Sequence, residues 1–192
     1  MDCGYFHDTL VSICDDGSIE EPARNSIFFG KFILHELPPK SVWSNPCIPL
    51  NISVRNTSSS MILLQSPETY HPYPIIHLMS DLIDHPKKIV LCPVRCDGHR
   101  KLPWYAHPVL RPVRYWFCQL MTRQFFDEIG GMNECFRKMQ GYEDNDFVKR
   151  LDKAGAKWEW LTDHYVVHVK TPRNRSMPKS GKNLYTQLWQ TG

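Results

Sequence analysis

A chain of 192 residues, 42% hydrophobic and 12% aromatic, can bury one substantial core and is expected to form a single compact domain. Its net charge of +3, with no dense Lys/Arg run interleaved with aromatics, argues against nucleic acid as a partner. No apolar run approaches the length of a membrane span, and residues 1–14 carry acids and a His where a signal peptide would be basic and then apolar. A soluble, cytoplasmic protein without a transmembrane segment is therefore expected.

In chain order, the apolar run 10–14 stops at Asp15-Asp16-Gly17-Ser18, the pattern of a buried parallel strand ending in a turn. Residues 28–37 suggest a second strand, 38–49 a Pro-rich loop holding Trp43, and 51–58 a short helix. A buried-type strand over 61–64 ends at Gln65-Ser66-Pro67-Glu68; 73–84 reads as a helix, 88–94 as a strand and 95–112 as a long loop. Then come a strand at 115–120, a helix at 123–129 stopped by Gly130-Gly131, and a helix at 143–154 closed by Gly155. Two short strands follow, at 158–161 and 165–169. The stretch 170–182 carries basic residues and no acids and reads as a mobile loop leading to a C-terminal helix. Strands alternating with helices predict an α/β domain.

Seven cysteines is an odd number, and Cys92-Pro93-Val94-Arg95-Cys96 is one residue too long for the C-x-x-C spacing of redox or zinc motifs, so reduced, mostly buried thiols are expected. The sequons at Asn51, Asn56 and Asn174 are taken as accidental.

The densest chemistry lies in Gly141-Tyr142-Glu143-Asp144-Asn145-Asp146-Phe147, three carboxylates within four residues at a helix start. Unpaired N–H groups and the macrodipole favour acids there, but capping needs only one of them. With Phe147, Val148, Leu151 and Ala154 forming the buried stripe, Glu143 and Asp144 are left at the mouth of the helix.

Ile129-Gly130-Gly131-Met132-Asn133-Glu134, this acidic heptapeptide and Val167-His168 together resemble the catalytic half of inverting GT-A glycosyltransferases, in particular those of family 2. Asp15-Asp16-Gly17-Ser18 and Arg55-Asn56 fit the same pattern in the same order. The resemblance implies a GT-A-like, Rossmann-like α/β fold with a mixed, mainly parallel sheet flanked by helices. It divides the chain into a nucleotide-binding half at 1–94, an acceptor and catalytic half at 95–169, and the basic loop and helix at 170–192.

The same resemblance implies transfer of a hexosyl or N-acetylhexosaminyl group from a nucleotide-sugar, in the first instance a UDP-sugar, to a carbohydrate acceptor with inversion. Asp15, Asp16, Arg55 and Gln65 would bind the donor. Glu68, with His168 and secondarily His71, would hold a divalent cation, Mn²⁺ or Mg²⁺, and His164 stands in for His168 should the latter be buried. Asp144 would be the general base, Glu143 the acceptor clamp, and Trp104 and Tyr105 would face the acceptor sugar. Plainer readings stand beside these: a turn for Asp15, a backbone-bonded loop residue for His71, capping or a salt bridge for Asp146, and core packing for Trp104.

Two departures from the pattern matter. The usual Asp-x-Asp is replaced by Gln65-Ser66-Pro67-Glu68 with His71 following, and only residues 1–9 precede the first strand, where the family has one more strand and helix. The second departure leads to the expectation of a domain lacking those elements. It also raises the alternative of a non-catalytic nucleotide- or sugar-binding partner subunit.

Overall fold

The computed structural model describes residues 9–17, 31–38, 45–97, 103–169 and 181–189. They fall into two compact units interleaved along the chain: Met1–Ser59, Met132–Glu143 and Ser176–Gly192 in the first, Ser60–Gly131 and Asp144–Arg175 in the second. The basic stretch 170–180 and Trp43 lie outside the described residues.

In the first unit, β1 (Leu10–Asp15) pairs in parallel with β2 (Lys31–Glu36), bringing Asp15 opposite Glu36. Helix α1 (Cys47–Arg55) starts four residues earlier than the sequence suggests, because Pro49 sits in the first turn, where a missing N–H costs nothing. Cys47, Asn51 and Val54 form its buried stripe at helical spacing, and the Ser12 hydroxyl of β1 donates to the Ser53 carbonyl at 2.8 Å. Helix α5 (Gly181–Trp189) belongs to the same unit.

The second unit carries two four-stranded sheets. One has the order β3 (Met61–Gln65), β8 (Cys118–Thr122), β5 (Lys88–Leu91), β9 (Lys157–Trp160); β8 is antiparallel to both its neighbours while β5 and β9 are parallel, so three strands run one way and β8 runs back. The other has the order β4 (Thr69–Tyr70), β10 (Val166–His168), β6 (Val94–Cys96), β7 (Trp104–Ala106), with only β10 and β6 parallel. Val90, Leu120 and Cys118 of the first sheet share a core with Val94, Ala106 and Val166 of the second and with Ile75 and Met79 of α2 (Ile75–Ser80). By strand alternation Ile62, Leu64, Ile89, Leu91 and Met121 point to the opposite face and are also buried. Helices α3 (Arg123–Glu128) and α4 (Glu143–Lys153) contribute Phe126 and Phe147, whose rings meet at 6.1 Å. This is a mixed α/β architecture with sheets flanked by helices, as the sequence predicts.

Several boundaries differ from the sequence reading. The strand expected at 88–94 is two strands in different sheets, divided at Cys92-Pro93, since proline has no N–H to continue a ladder. The loop expected at 95–112 contains the end of β6 and all of β7, and α2 is half the length expected. Strand β4 is only two residues long and left no periodic signal. The six described cysteines form no disulfides with one another, and four of them are buried.

Candidate functional site

The segment after β3 is tied to itself. The Gln65 amide nitrogen donates to the Thr69 carbonyl at 2.7 Å, and its oxygen receives the Nε2 of His71. The Ser66 hydroxyl donates to the Glu68 carboxylate, and the Thr69 N–H donates to the Ser66 carbonyl at 3.0 Å. Gln65, Glu68 and His71 therefore form one preorganised turn.

Strand β10 brings His168 to that turn. His168 is paired with Thr69, and the Val169 N–H donates to the Glu68 carbonyl at 2.9 Å, so residues a hundred positions apart become backbone neighbours. The His168 ring is buried; its Nδ1 lies 2.8 Å from the Val169 carbonyl, which can only accept. That contact fixes the proton on Nδ1 and the lone pair on Nε2, the form in which an imidazole binds a metal. The ring stacks on Tyr105 at 4.4 Å and meets the edge of Phe117 at 5.6 Å. Trp104, on β7 rather than in a loop, packs against His107 at 4.6 Å and Tyr165 at 6.1 Å.

Burial lowers the pKa of His71 from 6.5 to about 4. Unfolded chains take up this proton near pH 6.5 and folded ones only near pH 4, so the stability contributed above pH 6.5 is lost as pH falls through that window, by on the order of 3 kcal/mol in all. In urea melts at pH 7 and pH 4.5, His71→Asn should lose distinctly less stability between the two pH values than the parent. Equal losses would show that the ring is solvated.

Helix α4 opens on the acidic residues. Glu143 clusters with the first unit, where burial raises its carboxyl above the usual range, while its own N–H and the Asn45 side chain, by hydrogen bonding, pull the other way. Asp144 follows it, half-buried, at the start of the second unit's share of the helix. Asp146 is the salt-bridge residue that the sequence allowed: it accepts from Arg150 Nε at 2.8 Å, and Arg150 Nη1 donates to the carbonyls of Ile129 and Gly131 at 2.8 and 2.6 Å. One guanidinium thus locks the Gly130-Gly131 turn to α4.

The turn into α4 is held from within the first unit. Gly141 and Tyr142 both have left-handed backbone, φ 73° and 70°, a conformation that a Tyr adopts only under outside constraint. Gly181 supplies part of that constraint: a Cβ there would lie 1.9 Å from the Gly141 carbonyl oxygen, and Tyr185 packs on Tyr142 at 5.5 Å. Asn51 brackets the Met132 peptide, donating to its carbonyl at 2.9 Å and accepting from its N–H at 2.8 Å, so this sequon serves the fold. Asn45, Asn51 and Gly181 escaped the sequence reading because a lone Asn or Gly carries no pattern until its burial is known.

Of the residues singled out for the donor, Asp15 and Asp16 are half-buried at the end of β1, and Arg55 donates to Glu134 at 3.0 Å in an exposed ion pair within the first unit. His164 packs its ring on the edge of Tyr73 at 5.1 Å, and its Nδ1 is buried without a hydrogen-bond partner. Among the described residues, no three His, Cys, Asp or Glu side chains converge as a metal-binding group.

Residues 118–172, from β8 through α4 to just past His168, match the family described as the N-terminal domain of galactosyltransferase. No curated protein matches the chain in sequence. Among solved structures, the chain is similar to the mannosyltransferase PcManGT from Pyrobaculum calidifontis, in complex with GDP-Man and Mn²⁺, at 15% identity and a TM-score of 0.51, covering 77% of this chain and 41% of that one. It is similar also to the catalytic domain of Drosophila β1,4-galactosyltransferase 7, in complex with xylobiose, at 17% identity and a TM-score of 0.50, covering 81% of this chain and 66% of that one. The chain thus spans less than two thirds of either structure's length. The fold is that of the GT-A glycosyltransferases, and Glu143, Asp144 and His168 lie within the matched segment. No described helix is long and apolar enough to cross a membrane.

Proposed function

We propose that this domain transfers a sugar with inversion from a nucleotide-sugar, a UDP-sugar in the first instance, to a carbohydrate acceptor. The observation that carries this reading is that the Val169 N–H donates to the Glu68 carbonyl, which sets the turn holding the Glu68 carboxylate beside the strand that ends at His168, an imidazole with its lone pair on Nε2. Oxygen and imidazole donors suit Mn²⁺ or Mg²⁺. Glu68 would hold such an ion with His168 or, because His168 is buried, with His164 in its place, and with His71 secondarily; when bound it would neutralise the leaving diphosphate.

The chain's own residues supply the rest. Asp15, Asp16, Arg55 and Gln65 bind the donor nucleotide. Asp144 removes the proton from the acceptor hydroxyl as that oxygen attacks the anomeric carbon opposite the departing diphosphate. Glu143, with its raised pKa, keeps a proton more readily than an exposed glutamate and holds the acceptor by hydrogen bonds. Trp104 and Tyr105 offer ring faces to the acceptor sugar's C–H surface.

Thermal shift with a panel of nucleotide-sugars tests the donor and the cation together, since specific binding stabilises by mass action. A UDP-sugar should raise the melting temperature more in Mn²⁺ than in EDTA, and Glu68→Ala should remove most of that difference. Equal stabilisation in Mn²⁺ and EDTA, or undiminished cation dependence in Glu68→Ala, would sink the metal assignment. A GDP-sugar outperforming the UDP-sugars would change the donor and leave the chemistry standing.

A further inference from the structure

The second sheet of the second unit has a face of which the transfer chemistry uses only Trp104. Register sets Tyr70, Val167, Arg95 and Trp104 in one row across β4, β10, β6 and β7, with Thr69, His168 and Cys96 on the reverse by alternation. Tyr70 and Arg95 in this row are solvent-exposed. Beside the row, Trp104 stands edge-to-face with Tyr165 at 6.1 Å, and Tyr165 with Tyr73 at 5.5 Å.

The polar ends of this aromatic group converge. The Tyr73 and Tyr165 hydroxyls hydrogen-bond to one another, and Arg95 donates to the Tyr165 hydroxyl, its guanidinium lying 5.6 Å from the Tyr165 ring centre. The Tyr165 hydroxyl thus lies beside the Arg95 guanidinium. Among the described residues Arg95 forms no ion pair, although it has more N–H donors than one phenol can use.

We propose that this face binds an acidic glycan, seating a sugar carboxylate on Arg95 and the Tyr165 hydroxyl while the sugar ring lies against Trp104. A guanidinium fork matches a carboxylate in two parallel hydrogen bonds, and an aromatic face matches the C–H side of a pyranose. Aromatics with an arginine would also suit single-stranded nucleic acid. Asp97 and Asp163, exposed two residues from Arg95 and Tyr165, oppose a polyphosphate backbone more strongly than a single carboxylate. The site goes beyond the donor and base chemistry and shares only Trp104 with it.

Isothermal titration of the full chain, without any donor, separates this site from the transfer reaction. The titrants are a uronic-acid oligosaccharide, the same oligosaccharide with its carboxyls reduced to alcohols, and a single-stranded oligonucleotide. The parent should bind the uronate at least about tenfold more tightly than the reduced sugar, since a charge-assisted pair is worth at least that much. Arg95→Gln should abolish the preference and Tyr165→Phe should weaken uronate binding several-fold, with both variants melting like the parent. Equal affinity for the two sugars, unchanged uronate binding by Arg95→Gln, no binding of the uronate, or tighter binding of the oligonucleotide would each overturn the proposal. Failure of sugar transfer with every donor would leave this titration unaffected.

Discussion

Asp144→Asn is expected to lower sugar transfer by about 10²-fold or more while donor affinity hardly changes. The substitution keeps size and most hydrogen bonding and deletes only the group that takes the proton, and general-base catalysis typically contributes about 10²–10⁴-fold. If Asp144 only caps α4, the outcome differs: a stability loss of about 1 kcal/mol or less, with turnover largely kept. Turnover against a panel of oligosaccharide acceptors, run beside a melt of the same preparation, distinguishes the two. Full transfer by Asp144→Asn would eliminate the mechanism. Clear nucleotide binding by the parent, with no transfer from any donor, would instead favour a non-catalytic binding subunit.

Arg150→Met should be the most damaging single change to the fold. Asp146 is 1% exposed and ion-paired with the Arg150 guanidinium; removing that group takes the countercharge from a buried carboxylate and the donor from two carbonyls, those of Ile129 and Gly131. Breaking a buried pair from one side costs about 3–5 kcal/mol, a large share of the 5–15 kcal/mol that holds a domain together. The double change Asp146→Leu with Arg150→Met removes both charges and should recover much of the loss. Denaturant melts of the single and double variants decide it. If Arg150→Met alone costs under about 1 kcal/mol, the pair is solvated and does not lock the Gly130-Gly131 turn to α4.

The acidic turn was the most legible part of the site. Three carboxylates at a helix start, a Gly-Gly stop before them and a late His form a pattern that survives without coordinates, and α4 begins at Glu143 as read. The turn of Gln65, Glu68 and His71 was legible as a departure from a motif, while its internal hydrogen bonds were not. Trp104 and Tyr105 were read as loop residues because the Pro-rich surroundings masked a three-residue strand, too short to show alternation.

What the sequence determined by itself was local: where apolar runs stop at turns, where glycines end helices, and where acids crowd a helix mouth. These depend on backbone preference and on periodicity within a few residues, and both are written directly in the chain. The tertiary structure alone decided which distant residues became neighbours. It set the pairing of His168 with Thr69, the tautomer that Val169 imposes on that ring, the Asn51 bracket on Met132, and the close seat of Gly181 on Gly141. Each of these depends on strand register or on packing between segments far apart in sequence, and such contacts follow from the burial of the whole core rather than from any local pattern.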